Sequence, residues 1–598
     1  MKIFFRFLFF FGFMMNIYAQ KSFTCKSPSQ TDSSVYIVWN SVKKSFSKTE
    51  DYQIYVNKKK QPLKASEQAV FSNKNTAEYK KAFYNHYNKK LTGINMVKNE
   101  VTFFCVKDLE PDTEVQIYVE AVDKKGKSLC VSEAIFVRTK KLGKTLNVVD
   151  FGAVCGEKIT NRACSLEDVT LIEKNTRAIQ KAIDLCPQDG IVYIPNGIFM
   201  CGGLNLKSNM TLKIDGVLCA SPFARHYDFG FLMYEYYTDE RRWGLLNAVD
   251  AENITLTGSG TVDGNGWFFS DSNGKKQDFW SVYIEEGDID FTFEKKSEAR
   301  QLVRYLKGNN RTVYDLGILA SDCAETFLKE RNLTWQTASK NDLAEAYSSR
   351  STTVIFRRTK NILIENLLFL NPANHMINIL DSSDITITGI TEFTYDANNG
   401  DGVGLICSKN SFVFNNFFDT GDDCIVFSAG VGKSATKTGQ SGASDSEIFS
   451  NYFHHGHGGV AFGSHTALGI ERIFVHDNVF NHTDAPFRIK SAPANGGYVK
   501  DILFERNAIA CARQPFIMST EYNDAGTVTK YGPAEKPAVF SDIICRNCTV
   551  YKVGGTTIYI SGRDENPHSN ILFKNVVFAK SGNLGQYIKN CENFRVEK

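Results

Sequence analysis

Four short clusters hold the residues of this 598-residue chain best suited to chemistry. They are Asn399-Gly400-Asp401-Gly402, Gly421-Asp422-Asp423-Cys424, Gly456-His457-Gly458 and Arg488-Ile489-Lys490. From Asp401 to Asp422 is 21 residues, from Asp423 to His457 is 34, and from His457 to Arg488 is 31. Paired carboxylates suit hydrolysis of a glycosidic bond, in which a protonated acid serves the leaving oxygen while a carboxylate activates water. Crowding of like charges raises the pKa of one member and so keeps it protonated. Arg488 and Lys490, two apart in an extended strand, point the same way and suit a substrate carboxylate. Taken singly these clusters say little. An isolated Asp-Asp is more often a solvated turn or a calcium ligand, although Asp419 to Gly430 lacks the Glu and central Gly of an EF-hand loop.

The elements around them repeat. Asn361-Ile-Leu-Ile-Glu-Asn366, Ser411-Phe-Val-Phe-Asn-Asn416, Ser446-Glu-Ile-Phe-Ser-Asn451 and Arg472-Ile-Phe-Val-His-Asp-Asn478 share one pattern. It returns in Asp501-Ile-Leu-Phe-Glu-Arg-Asn507, Ser541-Asp-Ile-Ile-Cys-Arg-Asn547 and Asn570-Ile-Leu-Phe-Lys-Asn575. Consecutive blocks begin 26 residues apart (Ser446 to Arg472) or 29 apart (Arg472 to Asp501). Short strands at one-coil spacing, rich in Asn and Gly, predict a parallel β-helix whose corners use left-handed backbone and whose Asn side chains bond their neighbours. Residues one coil apart stack on one face. The four clusters then converge on one wall.

The β-helix is expected over 144–598, opening at Leu146-Asn147-Val148-Val149-Asp150, with helix spacing over Asn175 to Leu185. A stretch from Trp267 to Arg350 interrupts the repeats. It is charged and partly helical at Arg300 to Leu306 and Leu343 to Tyr347, as a functional loop region would be. Residues 1–19, basic at Lys2 and Arg6 and then apolar to Met15, read as a secretory signal peptide, so the protein is expected in the periplasm or outside the cell. Between them, 20–143 reads as a small β-sandwich, with Val35–Trp39, Tyr52–Val56 and Val115–Val122 as strands and an extended loop within 57–100. Leu109 to Ala121 resembles the later strands of a fibronectin type III domain.

Composition excludes several classes. With 42% apolar and 23% charged residues, disorder, collagen and coiled coil fit poorly. The formal charge of +3 is a cancellation, since 21–144 holds 23 basic residues against 13 acids and 145–598 holds 44 against 53. No nucleic-acid partner and no membrane span are expected. The 15 cysteines include one CxxC, Cys545-Arg546-Asn547-Cys548, without a partner pair at zinc spacing, so buried thiols are expected rather than a metal site.

In order and on this scaffold, the four clusters resemble glycoside hydrolase family 28, the polygalacturonases, with right-handed parallel β-helices and the motifs Asn-Thr-Asp, Asp-Asp, Gly-His-Gly and Arg-Ile-Lys. Three motifs stand unaltered here, and Gly400 replaces the middle Thr of the first. The resemblance covers roughly 146–598, including Thr257-Gly-Ser-Gly-Thr-Val-Asp-Gly264. It implies an all-β enzyme: a right-handed parallel β-helix preceded by a fibronectin type III-like β-sandwich. It also implies hydrolysis, with inversion, of α-1,4-linked galacturonate in polygalacturonate or pectin oligosaccharides by a monomer without cofactor or metal. By the same resemblance Asp422 is the general acid, Asp401 and Asp423 hold and activate water, and His457 tunes the acid. Arg488 and Lys490 bind a substrate carboxylate, with Asn399 and Tyr522 also lining the substrate. The N-terminal module and long early insertions look like the exo-acting bacterial members. Alternatives are endo-action or rhamnogalacturonan hydrolysis within the family, a calcium-dependent pectate lyase, and a non-catalytic β-helix that binds carbohydrate.

Overall fold

The computed structural model describes residues 22–159, 164–266, 319–394, 399–523, 530–581 and 585–598. The expected signal peptide and Arg300 to Leu306 lie outside them. By contacts the chain divides into two compact units, Met1–Phe71 with Glu100–Leu142, and Ser72–Asn99 with Gly143–Lys598.

The smaller unit is a β-sandwich. Cys25–Gln30, Val35–Trp39 and Phe103–Val106 form an antiparallel three-stranded sheet, and a second sheet centres on Glu114–Val122 and Asp51–Val56. Alternate residues of Glu114–Val122 are buried, as a strand with one core face requires. Val35, Ile37, Trp39, Ile54, Phe104, Val115, Ile117 and Val119 share one core between the sheets. All three strands expected from alternation are present. The extended loop expected within 57–100 is not: the chain forms the strand Lys59–Lys64 and the helices Ala65–Ser72 and Lys74–Lys90. Lysine and asparagine concealed the second helix, whose Tyr79, Phe83 and Tyr87 recur at four-residue spacing and whose Asn73 caps Thr76 N.

The larger unit is the parallel β-helix, a continuous sheet of 32 strands in which each strand pairs in register with one a coil further on. One column runs Lys360–Glu365, Ser383–Thr388, Lys409–Phe414, Ala443–Phe449, Ile470–His476 and Tyr498–Glu505. Five of these six strands carry repeats read from sequence; Ser383–Thr388 does not. The terminal asparagines of the last four form an internal ladder. The Asn416 amide donates to Ile387 O (3.0 Å) and Asn451 Oδ1 (3.0 Å), Asn451 to Val413 O (2.9 Å) and Asn478 Oδ1 (3.1 Å), and Asn478 to Ile448 O (2.9 Å) and Asn507 Oδ1 (3.1 Å). The residues just before them, Asn415, Ser450, Asp477 and Arg506, sit at φ between 51° and 58° and turn the corner. Stacked Phe418–Phe453–Phe480 and Phe427–Phe462 fill the interior.

The helix expected over 175–185 begins earlier, spanning Leu166–Leu185, because Ser165 and Asp168 close a capping box. Leu319–Glu330 and Lys340–Ser348, the described part of the insertion, are helices packed on the core. All fifteen cysteines are free thiols, most of them buried. Among the described residues no helix is long and apolar enough to cross a membrane.

Candidate active site

Register brings the four motifs together. Val403 pairs with Ile425, Ile425 with Val460 and Val460 with Phe487, so Asp401, Asp423 and Gly458 align one coil apart with Arg488 and Lys490 just beyond. Backbone bonds bind the loops edge to edge: Gly402 N donates to Asp423 O (3.0 Å), His457 N to Asp422 O (2.9 Å) and Cys424 N to Gly458 O (2.8 Å). Gly458 must lack a side chain, because a Cβ there would collide with Asp423 Oδ1. Arg488 stands in a row behind Gly404, Val426 and Ala461, residues short enough to leave its guanidinium room.

The two adjacent aspartates have opposite surroundings. Asp423 is buried and accepts Arg488 Nη1 at 3.0 Å and Lys490 Nζ at 2.7 Å. Burial opposes its charge, but the two cations hold the carboxyl well below the usual carboxylate range. Among the described residues no cation donates to the Asp422 carboxyl as Arg488 and Lys490 do to Asp423. Burial, then Asp401, then Asp423 push Asp422 up to about 6. One acid thus keeps its proton up to about pH 6 next to one that is ionised well below that, the division of labour that hydrolysis needs. Arg488 and Lys490, expected to meet a substrate carboxylate, are anchored on Asp423. The Tyr522 ring lies 5.1 Å from Lys490 Nζ and 5.9 Å from the Arg488 guanidinium carbon.

Other expected residues gain partners no motif announces. His457 Nδ1 is 3.0 Å from Asp484 Oδ2. His375 Nδ1 lies 3.2 Å from Asp401 Oδ2. Asn399 Oδ1 accepts Tyr347 OH (2.9 Å) and Arg350 Nη2 (3.4 Å), so the end of the insertion grips the first motif. The Thr394 hydroxyl donates to Gly400 O (2.6 Å) and accepts Gly421 N (2.9 Å), tying the first two motifs at a coil where the middle Thr is missing. Glu392, wholly buried and beside Asp401, has neither carboxyl oxygen hydrogen-bonded among the described residues, and burial followed by Asp401 pushes its pKa well above the usual range. His375, Asp484, Thr394, Arg350 and Glu392 were not found from sequence. His375 at least lies one coil from Asp401, and a coil-spacing search for titratable residues would have reached it.

Comparison with known proteins identifies relatives of the whole chain. The model of Glycosyl hydrolases family 28 matches residues 286–598. An exo-poly-alpha-D-galacturonosidase of Dickeya chrysanthemi is 33% identical over 564 residues, covering 92% of this chain and 85% of that protein. The structure of a family 28 exopolygalacturonase from Yersinia enterocolitica superposes with a TM-score of 0.75 at 28% identity, over 96% of this chain and 99% of that one. A hyperthermoactive exopolygalacturonase from Thermotoga maritima shares the fold, with a TM-score of 0.54 at 20% identity over 76% of this chain and 91% of its own.

Proposed function

The chain belongs to glycosyl hydrolases family 28, and from that premise we propose the following course for its reaction, with each residue in a stated role. The enzyme is a polygalacturonase that cleaves polygalacturonate from a chain end, as the activity of the Dickeya relative and the whole-length likeness to the Yersinia enzyme support. Asp422 gives its proton to the glycosidic oxygen. Asp423, ionised by Arg488 and Lys490, and Asp401, held by His375, place and deprotonate the water on the opposite face of the sugar, with inversion. The N–H groups of Arg488 and Lys490 not spent on Asp423 meet a galacturonate carboxylate, with Tyr522 alongside and Asn399 holding the rim. His457, fixed by Asp484, tunes the protonation of Asp422.

The observation that carries this course is the split between Asp422 and Asp423: neighbours in sequence, the first partly and the second fully buried, one pushed to about 6 and the other held ionised by two cations. The amino-terminal segment supports export, to the periplasm or beyond.

Time-resolved products from demethylated polygalacturonate test the reading. Short galacturonides accumulate from the first time point, saturated and without ultraviolet absorbance, while long oligomers stay absent. An early ladder of long oligomers overturns attack from the end, and unsaturated products overturn hydrolysis.

A further inference from the structure

One buried cluster takes no part in this chemistry. The strand Phe417–Asp419 pairs with Tyr452–Phe462, Phe418 opposite Phe453 but Asp419 opposite His455, so one extra residue, His454, bulges out of the ladder. A bulge re-aims side chains that would otherwise alternate between faces. Here it brings both His454 and His455 to the carboxylate of Asp419, and one ligand atom from each of the three lies within 4.8 Å of the others. His455 Nδ1 is 3.5 Å from Asp419 Oδ1.

Asp419 makes this more than a chance grouping. It is only 3% exposed, and its Oδ2 has no hydrogen-bond partner among the described residues. Elsewhere in the same cylinder a buried aspartate is fully partnered: Asp477 takes Arg506 Nε at 3.1 Å and Arg506 Nη2 at 2.8 Å, with His476 Nδ1 at 2.7 Å. A buried carboxylate oxygen that no protein donor reaches is costly unless a cation meets it. Aromatic rings hold the His454 imidazole in place. His454 is stacked on Phe417 at 5.7 Å and on Tyr452 at 5.9 Å, with the Tyr79 ring edge-on at 5.3 Å.

We propose that Asp419, His454 and His455 form a binding site for one divalent transition-metal ion of the zinc class. One carboxylate and two imidazoles make a donor set of borderline softness, unlike the all-oxygen shells of calcium or magnesium. His455 is 19% exposed at its side chain, which leaves a side for ion entry and for a water as further ligand. The placement gives the ion a task. Asp419 runs through Thr420 and Gly421 into Asp422, and His455 through Gly456 into His457. A bound ion fastens the roots of both catalytic loops to each other without entering the reaction.

Metal binding is read here without substrate, so it fails or stands apart from the hydrolase reading. The untagged full chain, stripped with chelator, is titrated with Co2+ followed by visible absorption, and with Zn2+ followed by calorimetry. The wild type binds one equivalent of each with low-coordinate cobalt bands, and Zn2+ raises its thermal midpoint. Asp419→Asn, nearly isosteric, weakens binding on the order of 100-fold or more with an unchanged circular dichroism spectrum. His455→Gln, at the more exposed position, gives the same loss and serves alone if the buried variant does not fold. Absence of saturable binding to the wild type overturns the site, as does unaltered affinity in the variants.

Discussion

Two rows of polar residues climb the same β-helix, and they treat burial in opposite ways. The asparagine ladder, Asn416 to Asn507, is fully buried; the amides of Asn416, Asn451 and Asn478 each bond the coil before and the coil after, and Asn507 closes it by donating to Val475 O. On the aspartate wall, Asp401, Asp422 and Asp423 are crowded together with two cations, and both cations are held by Asp423. Neutral amides can satisfy each other indefinitely, because each carries donor and acceptor. Ionised carboxylates only accept, so stacking them leaves one to keep its proton. The ladder supplies order, and the wall holds stored electrostatic tension that the order makes possible.

The largest effect expected is on the wall. Asp422→Asn lowers kcat by about 10³- to 10⁴-fold through loss of the proton donor, while circular dichroism and thermal midpoint stay near the wild type. A variant that retains near-normal hydrolysis breaks the contrast at its root. On the ladder the effect is reversed in kind. Asn451→Leu leaves Asn416 N–H and the Val413 carbonyl unpaired and destabilises the β-helix by about 3 kcal/mol, read from urea midpoints, with kcat of the folded enzyme little altered. Lys490→Met comes next: it removes one of the cations that keep Asp423 ionised, and kcat/KM falls about 100-fold. In the wild type itself, kcat/KM falls as pH rises through about 6, because Asp422 then loses the proton it must donate, whereas Asp423 stays ionised on both sides of that limb. In Lys490→Met the carboxyl of Asp423 moves upward, and an acid limb enters the profile. The smallest effect belongs to Glu392→Gln. If the carboxyl behind Asp401 is neutral, an amide replaces it with a change in kcat of no more than about threefold. A larger loss means that Glu392 carries charge.

The fold was legible because a β-helix writes its period into the chain. Each block closes on an asparagine, and Asn416, Asn451, Asn478 and Asn507 proved to be the rungs. The site was legible where one short motif carries both a reactive group and the glycine that gives it room, as in Gly456-His457-Gly458. It was illegible where a partner arrives alone, outside any short motif. His375 reaches Asp401 and Asp484 reaches His457 from the neighbouring coil, and Thr394 ties two motifs through one hydroxyl. The role of Arg488 and Lys490 was half legible. Spacing put them on one side of a strand, but only packing reveals that Asp423 engages both first. The helix Lys74–Lys90 was missed because its buried stripe is aromatic and its remaining residues are those of a solvated loop.

That helix and the residues after it touch coil after coil. Asn73 Nδ2 donates to Ile390 O and Asn415 O at 3.1 Å each, Lys80 Nζ to Ser450 O at 2.5 Å, and Tyr87 OH to Asn481 Oδ1 at 3.2 Å. Asn99 Nδ2 then reaches Arg506 O at 2.8 Å, and Asn95 O accepts Thr549 Oγ1 at 3.4 Å. A stack whose layers see only their nearest neighbours behaves as a one-dimensional chain and can melt piecemeal from an end. A strut laid lengthwise across it couples layers that never meet, so that fraying of one coil strains bonds several coils away. Residues 72–99 thereby bind the coils from Ile390 to Thr549 to one another lengthwise, against the piecemeal fraying that a simple stack allows.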